Sequence, residues 1–395
     1  MKTFQYSGMP VVYFGEGALK TALEKELPAA GSNVLLAYGG GSIKKNGIYD
    51  EVMELLGRFG KKVTEFSGIM ANPTYAKVQE GAALVRGNGV DFILAVGGGS
   101  VIDCCKIVSA QAKMDEDIWK AEFTDHVYPK EFVPLGAVTT VSGTGSEMNN
   151  GAVITNEEEK KKNGMGGAMA SFAVLDPAYT LTVPMRQAVS GAFDTLSHCM
   201  ETYFGKPAEN NVSDEINEAV MRNVIRNLRA MIADPQDIGV RSELMWDSSM
   251  AENGILKLGK QTDFQSHMIE HQLGAYTDCN HGQGLAVIHP AVYRHLAGDN
   301  TAKFAHFASA VWGISPEGKT QEELAQAGID ALAAFIREIG LPSTLTQLKQ
   351  NLRPGSPDPT DRELLRKAAD STIVTPGCAR ALTHDEIYQI LTECI

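Results

Sequence analysis

Asp194 and His198 stand four residues apart in Ala192-Phe193-Asp194-Thr195-Leu196-Ser197-His198-Cys199-Met200-Glu201. On a helix this spacing puts both side chains on one face, one turn apart. A carboxylate oxygen and an imidazole nitrogen can then converge on one ion. His267 and His271 repeat the interval, and His281 follows in Cys279-Asn280-His281-Gly282-Gln283-Gly284. His267, His271, His281, His289 and His295 are five of the nine histidines, a local concentration. One carboxylate with imidazoles and no thiolate suits Fe²⁺ or Zn²⁺ better than a thiolate-selected soft metal. Each histidine alone reads as an ordinary core or surface residue. The two i,i+4 pairs and the His-Gly taken together point to a metal site. His126, His289, His295, His306 and His384 lack comparable context and are expected to be structural.

A second chemistry is written in glycine. Val96-Gly97-Gly98-Gly99-Ser100-Val101-Ile102-Asp103 reads as a strand ending in a turn that opens a helix. Glycines let a phosphate approach the backbone, and the exposed amides and helix dipole favour negative charge there. The run is not GxGxxG, because Ile102 occupies the sixth position, and no Gly-Lys-Ser/Thr follows it. Gly39-Gly40-Gly41-Ser42 ends an earlier strand in the same way. Thr140-Val141-Ser142-Gly143-Thr144-Gly145-Ser146-Glu147 offers hydroxyls and amides after another strand. Each loop alone is also consistent with a plain connection. Glu157 to Lys162 is a charge run that reads as a solvated turn.

The elements that must position these residues fall into two kinds. Strands are expected at 34–38, 62–66, 92–96 and 134–140, with helices between them, including 49–59 and one through about Ala110. Asn72-Pro73-Thr74 is a turn that starts a helix. This β-α-β-α order implies a doubly wound parallel sheet. Beyond Asp176-Pro177 the apolar spacing turns helical, as in 188–203, 216–232, 322–339 and 386–391. Thr320…Glu323, Thr360…Glu363 and Thr383…Glu386 have capping-box spacing, and Gly340-Leu341-Pro342 is a stop. An α/β domain over residues 1–180 and an all-helical domain over 181–395 are expected. The length of 395 residues supports two cores.

Composition narrows the partners. A net charge of −13 argues against nucleic acid and anionic membrane surfaces. No stretch approaches the roughly 20 apolar residues of a membrane span, and the N-terminal segment does not read as a signal peptide. Cys104, Cys105, Cys199, Cys279, Cys378 and Cys394 show no CxxC spacing. They are expected to be buried, unpaired thiols in a reducing, cytoplasmic compartment.

With these pieces in order, the chain resembles the iron-containing alcohol dehydrogenase family, in its butanol dehydrogenase-like branch. The resemblance runs from Phe14-Gly15-Glu16-Gly17 to the C-terminal helices. Its most specific parts are Gly97 to Ser100 with Asp103, Gly143 to Glu147, Leu175-Asp176-Pro177, Asp194…His198, His267…His271 and His281-Gly282. The run Thr140 to Thr144 departs from the commoner family pattern toward that branch. The resemblance implies a dehydroquinate synthase-like fold: a Rossmann-like dinucleotide-binding domain followed by an all-α metal-binding domain. It implies that Asp194, His198, His267 and His281 are the metal ligands. Gly98, Gly99 and Ser100 would hold the pyrophosphate, with Asp103 close by. Thr140, Thr144, Ser146, Lys160 and Tyr179 would line the nucleotide site, with Asn72 near the adenosine half. His271 would stand near the nicotinamide as a proton relay.

The implied activity is metal-dependent, NAD(P)-linked oxidation of primary alcohols such as butanol and reduction of their aldehydes. The implied assembly is a homodimer. The ion, Fe²⁺ or Zn²⁺, would act as Lewis acid on the substrate oxygen. Gly40 and Ser42 lie where an acidic side chain would repel a 2′-phosphate, and Lys44 and Lys45 follow. NADP(H) is therefore expected in preference to NAD(H). Two other enzymes of this fold type compete: a glycerol dehydrogenase-like polyol oxidoreductase and a dehydroquinate synthase-like lyase. The lyase needs a basic pocket, and the stretch between His198 and His281 is not rich in Lys or Arg. A non-catalytic binding protein would require a degraded site, yet all four ligand positions are filled.

Overall fold

The computed structural model describes residues 4, 6, 8–376 and 379–395, so Cys378 lies outside the described residues. The chain divides into two compact units. One comprises Gly8–Pro184 with Gln236–Met245, and the other Met185–Pro235 with Trp246–Ile395 and the described residues before Gly8.

In the first unit the strands are β1 (Val11–Phe14), β2 (Asn33–Tyr38), β3 (Lys62–Phe66), β4 (Phe92–Gly97), β5 (Leu135–Thr139), β6 (Gly151–Asn156), β7 (Lys161–Gly166) and β8 (Phe172–Leu175). Six of them form one parallel sheet in the order β1-β8-β5-β4-β2-β3. The helices are α1 (Ala18–Glu26), α2 (Ser42–Lys45), α3 (Ile48–Arg58), α4 (Tyr75–Gly87), α5 (Gly99–Gln111) and α6 (Ile118–Lys120). A parallel sheet buried on both faces calls for apolar residues at every position of its central strands. β4 meets that demand. Phe92, Leu94 and Val96 enter one core cluster, and Ile93 and Ala95 enter the other. β2 divides in the same way, with Val34, Leu36 and Tyr38 on one face and Leu35 and Ala37 on the other.

Four strands here were not foreseen. β1 and β8 are four-residue strands, too short to show a period. β6 and β7 form an antiparallel hairpin in which Gly151 pairs with Gly166 and Asn156 with Lys161. The charge run 157–160 is its turn.

The second unit carries helices and, among the described residues, no strand. They are α7 (Met185–Tyr203), α8 (Val212–Ala233), α9 (Ile238–Glu252, whose first half groups with the other unit), α10 (Gln265–Thr277), α11 (His281–Leu296) and α12 (Thr301–Ala310). They continue as α13 (Gln321–Glu338), α14 (Leu345–Lys349), α15 (Arg362–Ser371) and α16 (His384–Glu393). Thr320 and Thr383 make the expected capping boxes with Glu323 and Glu386. Gly340, at φ 74, terminates α13 as expected, and its amide donates to the Arg337 carbonyl. Thr360 does not cap α15. Asp361 does so, accepting from the Glu363 and Leu364 amides, because a carboxylate one residue later reaches the same orphan donors. Cys104, Cys105, Cys199, Cys279 and Cys394 are buried free thiols, as expected.

Candidate metal centre and nucleotide site

α7 carries Asp194 and His198, α10 carries His267 and His271, and α11 opens on His281. Four of these side chains meet at Asp194 Oδ1. His281 Nε2 lies 3.5 Å from that oxygen, His267 Nε2 3.6 Å and His198 Nε2 3.8 Å. Donors at tetrahedral corners roughly 2.1 Å from one ion stand about 3.4 Å apart. These separations are of the right size for a shared ion, and the donors of Asp194, His267 and His281 also lie within 4.8 Å of one another, a group His198 does not join. Asp194 Oδ1 and His267 Nε2 are buried and have no hydrogen-bond partner among the described residues. A buried carboxylate oxygen without a donor is costly, so the cluster fits a cation.

The electrostatics agree. Burial works to raise the Asp194 carboxyl, but the imidazoles of His198, His281 and His267 outweigh it and hold the pKa at about 2. Burial works to lower His267, but the Glu201 and Asp194 carboxylates outweigh it and raise the pKa to about 10. His198 is lowered, chiefly by burial. This buried cluster calls for positive charge, which a divalent ion supplies in place of a proton.

Two carboxylates that the sequence reading passed over complete the centre. Glu201 holds His267 Nδ1 and Glu270 holds His281 Nδ1, each by a short hydrogen bond. A carboxylate on Nδ1 fixes the ring and leaves Nε2 to face the ion. Glu201 also accepts from the amides of Ser266 (2.6 Å) and His267 (3.2 Å). The N-cap position of α10, Phe264, has a left-handed backbone and supplies no side-chain cap, so the carboxylate from α7 takes over that task. Glu201 stands seven residues after Asp194 and Glu270 three after His267, so helical spacing was the available signal.

His271 stands beside the four-donor cluster. Its ring centroid lies 5.6 Å from that of His281 and 6.0 Å from that of His267. Glu270, His271 and His281 do bring one donor each within 4.8 Å of one another. In that group Glu270 is already bonded to His281 Nδ1, and His281 Nε2 faces Asp194.

The His-Gly pair has a packing reason. A Cβ on Gly282 would lie 2.2 Å from the Ser190 carbonyl oxygen, so only glycine lets α11 start against α7. Asn280 caps α11 and receives the Ser190 hydroxyl, which seats His281 at the helix start. The histidines expected to be structural have ordinary partners. Ser197 meets His289 at 2.6 Å, Glu393 meets His295 at 2.9 Å and Glu218 meets His306 at 3.0 Å. His384 meets the Thr372 carbonyl at 3.1 Å, and His126 occupies a left-handed turn.

In the first unit the second glycine run behaves as an anion cradle should. Gly98 is the N-cap of α5, whose first turn carries no acidic residue and no side-chain cap; the Val101 and Ile102 amides donate to the Gly98 carbonyl, which leaves those of Gly99 and Ser100 for an anion. A Cβ on Gly99 would fall 2.0 Å from Thr144 Oγ1, so the loop after β5 presses directly on the start of α5. The Thr140 amide donates to the Gly97 carbonyl at 2.9 Å, and Thr144 Oγ1 accepts from the Ser146 amide at 3.2 Å. Asp103 accepts from the Ser146 hydroxyl and from the Val153 amide at 2.9 Å. It therefore ties the loop and the hairpin to α5. The Ser100 hydroxyl donates to the Ala71 carbonyl, next to Asn72.

The remaining sequence candidates lie further out. Gly40 and Ser42 are exposed at the end of β2. Tyr179 donates to Glu51 at 3.3 Å. Lys160 sits in the hairpin turn at φ 53, exposed, with no hydrogen bond or ion pair among the described residues. Lys162, two residues on, is 4% exposed and pairs across the hairpin with Thr155, which bridges to Thr74 near Asn72. Lys44 is not an unshared cation. Glu65 of β3 accepts from Lys44 at 3.1 Å, from Tyr49 at 2.7 Å and from Tyr38. These hydrogen bonds, led by the tyrosines, lower the Glu65 pKa.

Comparison with known proteins gives a consistent answer. Residues 10–177 match the family model described as iron-containing alcohol dehydrogenase. Residues 188–395 match the C-terminal model of the Fe-containing alcohol dehydrogenase family. The chain is 40% identical over 395 residues to the probable NADH-dependent butanol dehydrogenase 1 of Bacillus subtilis, covering 99% of each chain. It is 36% identical over 350 residues to the NADPH-dependent aldehyde reductase YqhD of Escherichia coli, covering 88% of this chain and 89% of that one. The crystal structure of NADH-dependent butanol dehydrogenase A from Thermotoga maritima superposes with a TM-score of 0.91 at 33% identity, covering 100% of this chain and 99% of that one.

Proposed function

Because the chain belongs to the iron-containing alcohol dehydrogenase family, we propose that it interconverts primary alcohols of about butanol's size and their aldehydes, with NADP(H) preferred over NAD(H). The chain is a metal-dependent, NAD(P)-linked alcohol dehydrogenase. The proposal also includes a cytoplasmic homodimer, which rests on family resemblance. No described helix is long and apolar enough to cross a membrane.

One observation carries the site assignment. Three imidazole Nε2 atoms lie 3.5–3.8 Å from a single buried, unpartnered carboxylate oxygen. Asp194, His198, His267 and His281 would hold Fe²⁺ or Zn²⁺, since three imidazoles and one carboxylate accept either. A bound ion supplies Lewis-acid polarisation of the substrate oxygen, and the nicotinamide coenzyme carries the hydride. The residues of the chain do the rest. Glu201 and Glu270 fix the two ligand imidazoles, and burial keeps bulk water from Asp194, His198 and His267. His271, buried beside His281, is the group we assign to moving the hydroxyl proton toward solvent.

For the coenzyme, the start of α5 and the Thr140–Ser146 loop would bind the pyrophosphate and the adjoining sugar. The buried Lys162 is better placed than Lys160 to neutralise charge near Asn72 and Thr74. NADP(H) preference is supported by the absence of an acidic residue in Gly39–Ser42 and by Lys44, whose ammonium Glu65 shares. The relatives carry both kinds of name, NADH-dependent and NADPH-dependent.

The test is a coenzyme-oxidation assay with butyraldehyde, run on protein whose bound metal has been quantified. NADPH should give the higher kcat/KM, and chelation should abolish turnover. Equal or better kcat/KM with NADH would remove the coenzyme preference alone. Silence with both coenzymes across a series of aldehydes, at one bound metal per chain, would remove the substrate assignment.

A further inference from the structure

We propose that the helical unit carries a second small-molecule site, for an apolar monocarboxylate, apart from the metal centre. A cavity of about 420 Å³ opens between α7, the end of α8, the start of α11 and the turn that follows α13. That volume lies within the range typical of small-ligand pockets. Part of its wall is apolar, from Met185, Val189, Ile232, Ile339, Leu341 and Pro342.

Its polar lining comes from Arg186, Gln283 and Asn351. Arg186 donates to Gln283 Oε1 at 3.3 Å and to the Asn351 carbonyl at 3.0 Å. Asn351 Nδ2 donates to the same Gln283 oxygen at 3.0 Å. Two donors therefore occupy Gln283 Oε1, while the amide NH₂ of this residue has no acceptor among the described residues. Gln283 is only 1% exposed and lines the cavity. That amide donor is open to a ligand oxygen.

Arg186 points the same way. It has no carboxylate within ion-pair distance among the described residues. Arg229, Arg366 and Arg380 are paired with acids, whereas Arg86 and Arg222, like the exposed Arg186, donate to backbone carbonyls. A guanidinium held only by neutral acceptors, with an amide donor beside it, matches the two coplanar oxygens of a carboxylate. The apolar part of the wall takes a hydrocarbon tail. None of Asp194, His198, His267 and His281 lines the cavity.

The test uses the full-length, metal-loaded protein and octanoate, titrated calorimetrically without coenzyme. One octanoate should bind per chain, and octan-1-ol, with the same tail and no charge, should bind at least about tenfold more weakly. Arg186→Gln should weaken octanoate at least about tenfold. Ile232→Trp should do the same by filling the cavity, and since Ile232 is 40% exposed its replacement spares the core if the arginine variant fails to fold. Asp194→Asn should leave octanoate binding in place. The proposal is overturned if octanoate does not bind, if binding survives both cavity variants, or if it is lost in Asp194→Asn, which would put the carboxylate at the metal centre.

Discussion

The two candidate sites are built from different materials. The nucleotide site is mostly backbone, with glycines at Gly98 and Gly99, the open amides at the start of α5, and a loop that approaches so closely that a Cβ on Gly99 would meet Thr144 at 2.0 Å. The metal centre is all side chain, with one carboxylate, three imidazoles and two further carboxylates that orient two of the rings. A site made of backbone is damaged by adding atoms. A site made of side chains is damaged by removing them.

Substitutions can press on this contrast, beginning with the most severe. Asp194→Ala removes the oxygen on which three imidazoles converge. Bound metal should fall to near zero and turnover should vanish with it, as read by metal analysis beside the aldehyde assay. Full turnover by a metal-free Asp194→Ala protein would refute the site. Glu201→Gln keeps the shape but weakens the hold on His267, and should cost about 10–100-fold in metal affinity. Retention of wild-type affinity in a chelator competition would mean that the Glu201 contact does not tune the ligand.

Gly99→Ala should do the opposite kind of damage. Stability should drop by about 1–3 kcal/mol through overpacking, coenzyme KM should rise, and metal content should stay at the wild-type level. Gly40→Ala is its control, because a Cβ there meets nothing within 4 Å, and its melting temperature should be nearly unchanged. Loss of metal in Gly99→Ala would break the separation between the two sites. The smallest effect belongs to Glu65→Gln. Freeing exposed Lys44 from its carboxylate should raise the kcat/KM ratio of NADPH to NADH by no more than about fivefold. A fall in that ratio would exclude Lys44 as a contact to the 2′-phosphate.

The contrast also explains what could be read in advance. The pairs Asp194/His198 and His267/His271 were legible because an i,i+4 interval on a helix survives into the fold, while the preference for His267 over His271 came from the family resemblance. Glu201 and Glu270 were not, because they are two among 48 acidic residues and their partners come from a neighbouring helix or the next helix start. The central strands β2 and β4 were legible from their apolar runs, whereas four-residue β1 and β8 were not. Lys160 and Lys162 differ only by hairpin register. One is exposed in the turn and the other buried on β7, a distinction that a run of three lysines conceals. Asp103 was expected beside the pyrophosphate, and its observed work is to hold Ser146 and Val153.

Glu201 joins the end of one helix to the beginning of another. It orients a ligand ring and, with the same carboxylate, closes the first turn of α10. Asp194 and His267 are far apart in the chain, yet they are mechanically one part. Glu201 and the Ser266 amide thus close a loop of chain, with α8 and α9 inside it, on the ligand set itself.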